Sequence, residues 1–114
     1  MYSIDRLIRD LPDLGARAVR QGDNQLVISS CRDRRFDPPV VLRATPQDID
    51  GYLDALRVDA AVVFPEAPAR EGAYRLLLVH LEETLLSNQP APRQISLREG
   101  RLVVSRAPEV SEPG

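Results

Sequence analysis

The stretch Thr45-Pro46-Gln47-Asp48-Ile49-Asp50-Gly51-Tyr52-Leu53-Asp54-Ala55-Leu56-Arg57-Val58-Asp59-Ala60-Ala61-Val62-Val63-Phe64-Pro65 decides how this chain is built. It opens with a hydroxyl suited to a helix N-cap and then a proline at the first helical position. An acid follows at the third, where it meets the positive end of the helix. From there Ile49, Tyr52, Leu53, Leu56, Ala60, Val63 and Phe64 fall in one sector of a helical wheel, with Asp50, Asp54 and Arg57 at its edge or beyond it. Two readings follow. In one, a single helix runs to Phe64 and stops at Pro65. In the other, the helix ends near Arg57 and Ala60 to Phe64 is a buried strand, closing a right-handed βαβ crossover. We take the single helix, because so short an apolar run does not by itself establish a strand.

Upstream, Val40 to Arg43 reads as a strand entered from the extended pair Pro38-Pro39, and Arg32 to Asp37 is a polar insert before it. Ala16 to Arg20 and Leu26 to Cys31 flank Gly22-Asp23-Asn24, the residue types of a tight hairpin turn. Ser3 caps a short helix with apolar positions Ile4, Leu7, Ile8 and Leu11, ended by Pro12 and Gly15. Downstream, Pro65 to Pro68 breaks the chain and Glu71 to Ser87 forms a second long helix. Its main apolar sector holds Ala73, Tyr74, Leu77, Leu78, Leu81 and Leu85. Gln94 to Arg98 and Arg101 to Arg106 form a second hairpin around Glu99-Gly100, with Ile95 and Leu97 set against Leu102 and Val104.

The expectation is an α+β fold of order α-β-β-β-α-α-β-β: a small antiparallel or mixed sheet of about five strands, two long helices, and a short N-terminal helix. Residues 1–106 make one domain, and 107–114, rich in Pro, Glu and Ser, a disordered tail. The 114 residues are 43% hydrophobic, enough for a real core. All 15 basic residues are arginine, which most simply reflects GC-rich coding. Both signs are interspersed and the net charge is −2, so no footprint for nucleic acid or acidic lipid emerges. No apolar run approaches a membrane span, and Met1 to Asp5 has neither the basic start nor the apolar stretch of a secretory signal. The cytoplasm is therefore the expected location. The single Cys31 has no disulfide partner within the chain, and no spacing implies a metal site or a cofactor.

Few residues offer chemistry, and no catalytic set is assigned. His80 borders the apolar sector of its helix with Glu83 three residues on. That is the spacing of a base and its orienting acid, and equally of an ordinary helix surface. Cys31, preceding Arg32, Arg34 and Arg35, is either an activated thiol or a small apolar residue at a strand end. Arg32, Arg34, Arg35 and Arg43, with Phe36, are the densest basic group and the candidate site for an anionic peptide or phosphate. Asp33 and Asp37 lie among them and largely neutralise it.

The second long helix carries apolar residues opposite its main sector. Val79 and Leu86, with Leu76, mark either a doubly covered helix or a face that meets another chain, and a homodimer is the preferred version. No residue motif identifies a family. The element order and small acidic character loosely resemble the chaperones that hold type III secretion substrates, although those finish with a helix where this chain finishes with a hairpin. The expectation for function is a non-catalytic protein-binding module, acting through an apolar helix face or through strand addition at an edge such as Arg101 to Arg106. The rival is a small-molecule or anion-binding domain using Cys31, His80 and the nearby arginines.

Overall fold

The computed structural model describes residues 4–88 and 90–104. Helix α1 (Ile4–Asp10) continues into a 3-10 turn (Leu11–Leu14) closed by Gly15. Strands β1 (Ala16–Arg20), β2 (Gln25–Ser30) and β3 (Val40–Arg43) follow, then helices α2 (Pro46–Val63) and α3 (Ala69–Leu86), then strands β4 (Gln94–Arg98) and β5 (Arg101–Val104). The fold is α+β with one mixed sheet in the order β1-β2-β3-β4-β5. Neighbouring strands are antiparallel except β3 and β4, which are parallel, with Leu42 opposite Ile95. A parallel pair needs a long crossover, and the α2–α3 hairpin supplies it.

The Thr45 signal does what its chemistry requires. Thr45 Oγ1 accepts from the Asp48 N–H at 3.1 Å, and Asp48 Oδ2 accepts from the Thr45 N–H at 3.2 Å, satisfying two backbone donors at the helix start. The helix then runs unbroken to Val63, so Ala60 to Phe64 is not a strand. Its buried positions are Ile49, Tyr52, Leu53, Leu56 and Ala60; Val63, expected in the apolar sector, is 54% exposed. At Gly72 of α3, an added Cβ would sit 3.3 Å from the Ala60 Cβ, so the two helices cross here at close range.

All three helices lie over one face of the sheet, the face carrying Ala18, Ile28, Leu42 and Leu97. Alternation sends Arg17, Val19, Arg43, Arg98, Arg101 and Val103 to the opposite face, and all six are exposed. Val27 and Val41 are half-buried between them, and Ser96, short beside Arg43 and Val103 in the register, is 5% exposed. No helix of the described residues is long and apolar enough to cross a membrane. The expected cap Ser3, the last two positions expected in β5, and the tail 107–114 lie outside the described residues.

Candidate binding surfaces

The candidate residues of α3 divide. Leu76 is 5% exposed and belongs to the core, Val79 is half-buried against it, and Leu86 is 70% exposed. The three therefore do not make one surface. Leu76 joins Leu77 and Leu78 because α3 is covered by α2 as well as by the sheet, which widens its buried arc.

Two arginines of the β2–β3 connection, Arg32 and Arg35, are structural. Arg32 donates to the carbonyls of Pro12 and Asp13 (3.3 and 2.9 Å), and Arg35 donates to that of Leu14 (3.2 Å). These carbonyls lie at the end of the 3-10 turn, where Pro12 also accepts from the Gly15 N–H at 3.1 Å, so the two guanidinium groups complete its cap. Arg35 also pairs with Asp33 at 3.0 Å and lies over the fully buried Phe36 ring. The backbone N–H of Arg35 is the main cause that holds the Asp33 carboxyl below its ordinary range. Arg34 is exposed, and Arg43 stands on β3 on the open sheet face. The four arginines proposed as an anion site are thus divided between two places.

His80 is held by a residue that its own helix does not supply. Tyr52 Oη lies 3.0 Å from His80 Nδ1, with the rings edge to face. Burial pushes the Tyr52 phenol up to about 12, so it keeps its proton, and the imidazole tautomer sets which of the two groups donates. Glu83 makes no hydrogen bond to the imidazole, so the His80–Glu83 pairing suggested by spacing is replaced by a Tyr52–His80 pairing across two helices. Tyr52 was legible as a core position, whereas its bond to His80 depends on how α2 and α3 pack.

Tyr52 and His80 lie in the wall of an open groove of about 730 Å³ between α2, α3 and β5. Leu56 and Asp59 line it from α2, Glu83, Thr84 and Asn88 from α3, and Leu102 and Val104 from β5. Cys31 is exposed at the end of β2 and is not part of this lining, so the thiol and the imidazole do not share a site. No group of three or more His, Cys, Asp or Glu among the described residues could hold a metal ion.

Strand β5 closes the groove with an edge that no strand of the described residues pairs. Glu99 (φ 52°) and Gly100 (φ 76°) form a two-residue turn with both central residues left-handed, which makes Arg98 and Arg101 a hydrogen-bonded pair. Antiparallel pairs alternate, so Ser96 and Val103 are bonded as well, while Leu102 and Val104 turn their N–H and C=O groups away from β4. Beyond β5 the sheet has no further strand among the described residues. No family model matches the chain, nor does any curated protein or solved structure.

Proposed function

We propose that this chain is a non-catalytic protein-binding module, working in the cytoplasm, that captures an extended protein segment by strand addition to β5. The observation that carries the reading is the juxtaposition of a free edge and a groove. The outward backbone groups of Leu102 and Val104 offer two donors and two acceptors, while their side chains form one wall of the groove beside Tyr52 and Leu56. In this mode main-chain hydrogen bonds supply affinity, and every second side chain of the added strand enters the groove and supplies specificity. The dispersal of Cys31, His80 and the arginines favours binding over chemistry.

The test is selection from a displayed library of random peptides, followed by amide hydrogen exchange of the protein with each selected sequence. Binders are expected to alternate apolar residues and to slow exchange at Leu102 and Val104. Selected peptides that leave both amides unchanged, or that protect only helical amides, refute strand addition.

A further inference from the structure

The five strands carry Arg17, Arg20, Arg43, Arg98 and Arg101 and not one Asp or Glu. The two long helices carry seven acids (Asp48, Asp50, Asp54, Asp59, Glu71, Glu82 and Glu83) against Arg57, Arg70 and Arg75. Charges that look interspersed along the chain are therefore sorted by the fold, and a chain of net charge −2 presents a basic open sheet face. Among the described residues, ion pairs join, with others, Arg9 to Asp10, Arg35 to Asp33, Arg57 to Asp54 and Arg75 to Glu71. None of them engages an arginine of the open face.

We infer that the segment added at β5 alternates apolar with acidic side chains, the apolar set entering the groove and the acidic set meeting Arg101 and Arg98. The inference rests on the strand-addition reading and names the partner's chemistry. A strand added to β5 lies about 4.8 Å beyond it, and its side chains alternate between the two faces. Those on the open face stand beside Arg101 and Val103, and about 10 Å from β4, within the reach of the long Arg98 side chain. Arg17, on β1, is five strand spacings away, about 24 Å, well past the screening length at physiological salt. The open face has valines and no aromatic ring, so it offers the apolar centre and arginine rim of a protein interface and no platform for stacked bases.

The experiment titrates the full chain with two peptides, each a six-residue core flanked by Gly-Ser: valine alternating with glutamate, or valine alternating with glutamine. Chemical shifts of Leu102 and Val104 amides report where each binds. The glutamate peptide is expected to bind roughly five- to tenfold tighter, the size of two partly exposed charge pairs. That advantage should vanish in 0.5 M salt (about three times the physiological value) and in Arg98→Gln/Arg101→Gln, and persist in Arg17→Gln. Should the double variant fail to fold, the salt dependence of the unaltered chain decides. Equal affinities with both amides shifted overturn the inference and leave strand addition standing. Peptides that shift neither amide overturn both. Tighter binding by a single-stranded thymidine oligonucleotide, with shifts at Arg98 and Arg101, assigns the face to nucleic acid instead.

Discussion

Proline substitution distinguishes the two edges of β5. The register makes Val103 the donor to Ser96, whereas the Leu102 N–H faces outward. Val103→Pro deletes a ladder hydrogen bond and leaves the Ser96 carbonyl without its donor. Because Ser96 is only 5% exposed, water does not readily replace it, and a stranded buried acceptor costs about 1–3 kcal/mol. Leu102→Pro breaks no hydrogen bond and loses part of a half-buried side chain, about 1 kcal/mol or less. Both substitutions impose the proline φ on a strand, a cost that cancels between them. Val103→Pro should therefore be the less stable by about 1–2 kcal/mol, after allowing for the side chain lost in the other variant. In thermal melts followed by circular dichroism this is a gap of roughly 4–16 °C. Amide exchange supplies the second reading, with Val103 protected and Leu102 and Val104 fast in the free protein. Equal melting points, or the reverse order, would show that the hydrogen-bonding phase assigned to β5 is wrong, and strand addition at Leu102 and Val104 would fall with it.

Three further outcomes follow from the packing. Gly72→Val should destabilise by about 1–3 kcal/mol in urea unfolding, because the new side chain meets the Ala60 Cβ, and Ala60→Gly in the same chain should recover part of the loss. The fold favours the protonated Tyr52 phenol, so this contribution to stability is fully present below pH 10 and is lost as the pH rises toward 12; Tyr52→Phe should remove that alkaline step from unfolding free energies measured across the range. Leu86→Arg, at a 70% exposed position, should change stability by less than about 0.5 kcal/mol, whereas Leu76→Arg places a charge in the core and should unfold the domain, as circular dichroism would record.

The architecture was legible wherever a local interaction dictates local structure. Thr45 and Asp48 satisfy each other's backbone whatever lies around them, and the alternation of Ile95 and Leu97 against Leu102 and Val104 is the register itself. Wheel projection failed where the outcome depends on what covers a helix. It placed Val63 inside, as though the sheet continued beneath the last turn of α2. It also grouped Leu76 with Val79 and Leu86 without deciding between a doubly covered helix and an interface face; α3 is covered on two sides at Leu76, while Leu86 is exposed. Proximity in sequence misled in the same way at Arg32 and Arg35, whose positions suggest an anion site and whose side chains are spent on the carbonyls of a 3-10 turn nineteen to twenty-one residues earlier.

The basic face was present in the sequence but hidden by adding charges in chain order. Reading the strands alone, with a period of two, collects Arg17, Arg43, Arg98 and Arg101 on one side and finds no acid among them. Arginine near a sheet edge also deters indiscriminate edge pairing. Two copies of this chain meeting at β5 would bring both Arg98 and both Arg101 side chains onto one face within a few strand spacings, with no carboxylate in any strand to separate them. An acidic strand at the same edge meets attraction in place of that repulsion. On the proposed reading, one pair of side chains would discriminate against self-association at β5 and in favour of an acidic partner, leaving the outward backbone groups of Leu102 and Val104 for that partner to use.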